Sequence, residues 1–85
     1  MPYFVYILES LTDGTYYVGS TNNLSDRLER HNQGRSKYTK AKRPWRLIFS
    51  EPFPDRSAAV KKELQIKRRK DKTYIERLVR ASRQT

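Results

Sequence analysis

The chain reads as an α+β fold in the order strand, strand, helix, strand, helix, helix, with cover on both faces of its sheet. Three observations predict it. Two short runs rich in aromatic and β-branched residues, Tyr3 to Glu9 and Thr15 to Ser20, flank the turn signal Thr12-Asp13-Gly14. Apolar side chains occupy both alternating sets of these runs: Val5, Ile7, Tyr16 and Val18 point one way, and Phe4, Tyr6, Leu8 and Tyr17 the other, so neither face is left to solvent. Beyond Asn22 the pattern turns helical, interrupted by one strand-like run between prolines.

The elements follow in order. If Asp13-Gly14 is a two-residue loop, Thr12 pairs with Thr15 and Ser10 with Tyr17, and Tyr6, Leu8, Ser10, Tyr17 and Gly19 project from one surface. Asn22 or Asn23 can cap a helix that runs from Leu24 through His31 and ends before Gly34. Leu24 and Leu28 form its apolar stripe, and Arg27 and His31, four apart, share one exposed flank of it. Gln33 to Pro44 is polar and basic without periodicity, which predicts an exposed loop. Trp45 to Glu51 has strand composition and is bounded by Pro52 and Pro54. Asp55 or Ser57 can cap a second helix through about Lys70. A third amphipathic segment, Lys72 to Arg83, carries Tyr74, Ile75, Leu78 and Val79.

Eighty-five residues predict one domain, residues 1–85, and with 35% of them hydrophobic its core is small. Cysteine is absent, which excludes disulfides, thiolate catalysis and cysteine-based zinc sites, and a single histidine excludes a histidine-rich metal site. No stretch approaches the roughly 18 apolar residues of a membrane span, and no basic leader opens the chain, so a soluble, cytoplasmic protein without membrane contact is expected. Lys plus Arg number 19 against 9 Asp plus Glu, a net charge of +10. Between Arg27 and Arg46 the basic residues are Arg27, Arg30, Arg35, Lys37, Lys40, Lys42, Arg43 and Arg46, against the single acid Glu29. A second run between Lys61 and Lys72 adds Lys62, Lys67, Arg68, Arg69 and Lys70. Such fields attract polyanions, whereas solubility alone mixes signs.

Glu63 is the residue out of place. At about 100 degrees per residue, Ile66, Ala59, Glu63, Val60 and Leu64 fall in angular order, which puts a carboxylate inside the arc that packs on the sheet. Burying it unpaired is costly, so it meets a cation, a donor or a metal. An ion pair with Lys67 or Arg27 is the structural alternative; a ligand to Mg²⁺ or Mn²⁺, ions that prefer oxygen and keep several waters, is the functional one. Arg27 offers planar donors for a phosphate oxygen, and His31, with a reference pKa of about 6.5, suits proton transfer near neutrality. Taken singly, both are ordinary solvated residues, and Tyr6 and Tyr17 are ordinary core aromatics.

Together they carry a resemblance. Phe4-Val5-Tyr6, then Tyr17-Val18-Gly19-Ser20-Thr21, then Leu24, Arg27, Leu28 and His31-Asn32, then Glu63 with Lys67, resemble the GIY-YIG nuclease superfamily over roughly Tyr3 to Lys70. The likeness is to its small, stand-alone bacterial branch and to the N-terminal nuclease domain of the bacterial excinuclease. It implies a three-stranded antiparallel sheet flanked by helices and a metal-dependent nuclease site. Carried over by position, Tyr6 and Tyr17 match the motif tyrosines, Gly19 the motif glycine in a structural role, Arg27 and His31 the helix residues, and Glu63 the metal-binding glutamate. Three departures stand out. Phe4 replaces the first motif glycine, Ser20 stands where excinuclease-like members have lysine, and no asparagine follows Asn32, with Lys67 and Lys70 the candidates to substitute.

The activity so implied is phosphodiester hydrolysis in nucleic acid, DNA before RNA, in repair or recombination, with specificity drawn from strand shape, a homodimer or a partner protein. Glu63 holds the ion, Arg27 neutralises charge on the phosphoryl oxygens, and Tyr6 or Tyr17 activates water, Tyr6 being favoured, with His31 assisting. Arg35, Lys37, Lys40, Lys42, Arg43, Lys67 and Lys70 are the expected nucleic-acid contacts. The rival readings are a non-catalytic nucleic-acid-binding module of the same fold and a ribosome or RNA partner in which the tyrosines are only core.

Overall fold

The computed structural model describes residues 2–34, 37–69 and 71–83, with Lys37, Tyr38 and Arg83 described by backbone alone. The elements are β1 (Tyr3–Ser10), β2 (Tyr16–Thr21), α1 (Leu24–Asn32), α2 (Lys37–Lys40), β3 (Trp45–Phe53), α3 (Arg56–Arg69) and α4 (Lys72–Arg83). The strands form one antiparallel sheet in the order β2-β1-β3. Apart from the single turn α2, this is the order and the α+β class that the sequence predicts.

Both faces of the sheet are covered, as the double alternation of β1 and β2 requires. On one face Val5, Ile7, Val18 and Phe49 pack with Ala59 and Ile66 of α3 and Ile75 of α4. On the other, Tyr6, Leu8 and Trp45 pack with Tyr17 and with Leu24 and Leu28 of α1. The second cluster is the smaller, and its largest members are aromatic rings with polar edges. Asn23 caps α1 by accepting a hydrogen bond from the Asp26 N–H at 3.1 Å, and Asp55 caps α3 through the Ala58 N–H at 2.9 Å. Gly34, with φ of 75°, follows the end of α1 in the left-handed region.

Four expectations are corrected. The β1–β2 connection is a four-residue loop: the Ser10 N–H donates to the Thr15 carbonyl at 2.8 Å, and the Gly14 N–H donates to the Ser10 carbonyl at 2.9 Å. Ser10 is buried, and its Oγ accepts from the N–H groups of Thr12 and Asp13 while donating to the Lys42 carbonyl, which holds the wider loop closed. Tyr17 therefore pairs with Leu8 and Gly19 with Tyr6, a register two residues from the expected one. A shift of two preserves the faces, so Tyr6, Leu8, Tyr17 and Gly19 still share a surface.

β3 continues through Pro52 to Phe53. It is an edge strand, where proline is tolerated. A bulge lets Ile7 pair with Phe49 but Leu8 with Leu47, so Trp45 and Phe49, four apart, face opposite sides. The segment 33–44 is no plain exposed loop, because it contains α2 and the fully buried Thr39. Leu64, placed in the packing arc by angle, is 48% exposed, since α3 covers the sheet with the narrower stripe of Ala59 and Ile66. No described helix is long and apolar enough to cross a membrane.

Candidate active site

Tyr6 and Gly19 stand directly opposite on β1 and β2, and the phenol lies across the position that lacks a side chain. A Cβ on Gly19 would be 2.5 Å from Tyr6 Oη and 2.7 Å from its Cζ. The glycine is thus the floor under the ring. Tyr6 is only 3% exposed, and its hydroxyl lies 3.3 Å from Nε2 of His31. Burial first, then the neighbouring Tyr17 phenol, push the Tyr6 pKa well above the ordinary tyrosine range; Arg27 pulls against them and Glu63 adds a smaller push upward.

His31 corrects an expectation. It is buried at 3% exposure rather than lying on a solvated flank, because α1 rolls its last turn onto the aromatic face. Its ring is 4.8 Å from that of Tyr17 and 6.2 Å from that of Tyr6, and Tyr6 and Tyr17 are 6.3 Å apart. Desolvation, then the Arg27 guanidinium, hold the imidazole below its ordinary pKa, so it is neutral at pH 7. The other ring nitrogen, Nδ1, lies 2.8 Å from Thr39 Oγ1. Arg27, one turn earlier on α1, is half-buried, and its Nε is buried with no hydrogen-bond partner among the described residues. An arginine whose charge is felt by Tyr6 and His31, with no acidic mate among the described residues, is available to an incoming anion.

Glu63 approaches from the other layer. It stands on α3, over the face that carries Ser20, while Tyr6 and His31 lie on the α1 face; the β2 edge separates them. Its Oε1 accepts from the Ser20 hydroxyl at 2.7 Å and its Oε2 from the Lys67 ammonium at 2.6 Å. The carboxylate side chain is 16% exposed, so its charge is compensated as burial demands. Its charge still acts on the Tyr6 hydroxyl, pushing the phenol's pKa upward. Tyr6, Tyr17 and His31 are therefore one contacting cluster, and Arg27 and Glu63 are both coupled to it electrostatically. Ser20 and Lys67 thus both engage this carboxylate, and the ion pair with Lys67 is one of the two pairings that the sequence offered for it.

The basic segment is less free than its composition implies. Lys42 is tied to Asp13 at 3.4 Å and to Thr15 Oγ1 at 3.3 Å, while Arg30 pairs with Asp26 and Arg46 with Glu9. Lys40 and Arg43 are exposed and make no ion pair with a described residue. Arg35 and Lys70 lie outside the described residues, as does the side chain of Lys37.

A family model described as the GIY-YIG catalytic domain matches residues 2–75. The chain belongs to the GIY-YIG family. Among its relatives are the UPF0213 proteins of Staphylococcus aureus strains Mu3 and N315, each 41% identical over 66 residues, covering 76% of this chain and 79% of theirs. The solution NMR structure of the UPF0213 protein BH0048 from Bacillus halodurans superposes with a TM-score of 0.60 at 34% identity, covering 95% of this chain and 85% of that one. This GIY-YIG domain thus comes from a nuclease family.

Sequence reasoning missed Thr39 and gave Trp45 and Asn32 no role at the site. Asn32 brackets the start of β3, its Oδ1 accepting from the Trp45 N–H at 2.6 Å and its Nδ2 donating to the Trp45 carbonyl at 3.2 Å. The Trp45 indole packs edge-on against Tyr17 and donates its N–H to the Thr39 carbonyl at 2.9 Å. The lone tryptophan directly after Pro44 was the available signal; nothing in the sequence marks Thr39.

Proposed function

We propose that this GIY-YIG domain is a divalent-metal-dependent endonuclease that hydrolyses phosphodiester bonds in nucleic acid, with DNA its substrate before RNA. The observation that carries the reading is the buried hydrogen bond between Tyr6 and a neutral His31, set beside Tyr17 and the unmated guanidinium of Arg27 among the described residues.

The donor set decides what kind of metal site is compatible. Among the described residues no group of three or more His, Cys, Asp or Glu could hold an ion by itself, so a closed protein cage does not fit. An open site does fit, because Mg²⁺ commonly takes one or two carboxylates, several waters and the oxygens of a substrate phosphate. Glu63 supplies that carboxylate, and Lys67, 45% exposed, is free to swing off Oε2. Held by Glu63, Mg²⁺ or Mn²⁺ would supply polarisation of the scissile phosphate and an offset to charge on the departing oxygen.

The chain's own groups do the rest. Arg27 donates to the phosphoryl oxygens and stabilises the charge that accumulates there. Tyr6, held protonated by burial, works as a relay rather than as a standing phenolate: its oxygen takes a proton from the attacking water as its own proton passes to Nε2 of His31. Water oxygen bonds to phosphorus, the bond to the leaving oxygen breaks, that oxygen is protonated from solvent, and the proton on His31 returns through Tyr6 to solvent, which restores the neutral pair. Tyr17, packed on His31, orients the water and shields the ring pair. Lys40 and Arg43 follow the strand backbone.

Cleavage of labelled single-stranded, duplex, flap and branched oligonucleotides in Mg²⁺ or Mn²⁺ tests this. Divalent-dependent cutting of at least one class is expected, and its absence from all of them overturns the reading. One observation favours the non-catalytic module instead, the double engagement of Glu63 by Ser20 and Lys67; binding of the same oligonucleotides without cutting would be its signature.

A further inference from the structure

We propose that Thr39 is a positioning residue that sets the tautomer of His31. A neutral imidazole carries one proton on either nitrogen, and the hydrogen bond at one decides the role of the other. His31 lies between two hydroxyls, Thr39 Oγ1 at 2.8 Å from Nδ1 and Tyr6 Oη at 3.3 Å from Nε2. A phenol, with a reference pKa of about 10, is a stronger donor than an alkyl alcohol. The controlling bond is the shorter one, 2.8 Å against 3.3 Å, in which the Nδ1 proton of His31 donates to Thr39 Oγ1, and Nε2 is left to accept from Tyr6. In the opposite tautomer His31 donates to Tyr6, and the relay has no acceptor.

Thr39 is built for that task. Its exposure is 0%, so no water competes for Oγ1. Its carbonyl is held by the Trp45 indole N–H at 2.9 Å and by the Lys42 N–H at 3.2 Å, and Trp45 is bracketed in turn by Asn32, the neighbour of His31 on α1. The hydroxyl that orients the imidazole is thus anchored to the same helix end that carries the imidazole. The single turn α2 is short, yet its one buried side chain among the described residues is the one that meets His31.

The catalytic consequence rests on the nuclease reading; the tautomer does not. The chain has one histidine, so long-range proton–nitrogen NMR spectra of the ¹⁵N-histidine-labelled protein report His31 alone. Above the imidazole titration, Nδ1 is expected in the protonated, pyrrole-like range and Nε2 in the pyridine-like range. The reverse pattern overturns the proposal. Thr39→Val is expected to shift the ring towards the Nε2–H form and Thr39→Ser to restore the wild-type pattern; a folded Thr39→Val with unchanged shifts also overturns it. Tyr6→Phe, which leaves Thr39 in place, is expected to keep Nδ1 protonated, and a flipped tautomer there would assign control to Tyr6. In cleavage assays Thr39→Val should lower kcat at least about tenfold with KM little changed, the scale of groups that orient a working imidazole. Absence of cleavage by the wild type contradicts the nuclease reading alone, while the tautomer decides the placement of Thr39 in either case.

Discussion

Replacing Gly19 by alanine probes the close approach on which the phenol depends. The added Cβ would meet Tyr6 Oη at 2.5 Å and Cζ at 2.7 Å, whereas ordinary contact begins near 3.4 Å. The ring must retreat by about 0.9 Å, the difference between 3.4 and 2.5 Å. It has no easy exit, because Tyr6 is 3% exposed and is walled by Leu8 and Trp45 at 0% and 4%. Overpacking of this kind costs about 1 to 3 kcal/mol. For a domain of this size that corresponds to a Tm lower by roughly 4 to 24 °C. A retreat of that size also breaks a hydrogen bond already 3.3 Å long, and misplacement by about 1 Å costs about 100-fold in rate. Thermal unfolding and single-turnover cleavage measure both effects. Tyr6→Ala supplies the control, since it empties the space: in that background the added methyl should be nearly neutral, giving a coupling of about 1 to 3 kcal/mol in the double-mutant cycle. A Tm unchanged in Gly19→Ala, or an equal loss with and without the Tyr6 ring, would refute the packing.

Two further outcomes are expected. Since the folded state holds the His31 pKa below its unfolded value of about 6.5, the unfolded chain binds the proton more readily, and stability should fall as pH drops from about 6.5 towards the folded pKa. His31→Asn should flatten that part of a plot of Tm against pH, and an identical slope in the variant would count against a buried neutral imidazole. In nucleic-acid binding, Lys40→Gln with Arg43→Gln should reduce the slope of log K against log salt by about 1.4 to 1.8, at about 0.7 to 0.9 for each phosphate contact. Lys42→Gln should change it less, because its ammonium already pairs with Asp13; equal effects would mean that the Asp13 pair does not persist in solution.

The layers were legible because they rest on alternation and caps. Asn23, Asp55 and Gly34 bound their helices from chemistry local to the residue, and the two faces of β1 and β2 survived a register error because side chains repeat every two residues. The register itself was hidden in the hydrogen bonds of the buried Ser10 hydroxyl with the loop and with Lys42. Local pattern cannot foresee a bond across 32 positions. The bulge in β3 was hidden likewise, and with it the separation of Trp45 from Phe49. At the site, residue type pointed to Tyr6, Tyr17, Arg27, His31 and Glu63. Which of them touch was set by tertiary packing: the roll of α1 that buries His31, the turn α2 that brings up Thr39, and the placing of α3 on the opposite layer, where Lys67 and Ser20 share the Glu63 carboxylate.

Glu63→Gln is the most direct test of the central claim, with cleavage and affinity followed on the same oligonucleotide across a magnesium titration. The isosteric amide keeps the volume and an acceptor for the Ser20 hydroxyl while removing the charge that would hold a divalent ion. Divalent-dependent cutting should vanish while affinity stays within a few-fold of wild type. Undiminished cleavage by Glu63→Gln at every magnesium concentration would contradict the account.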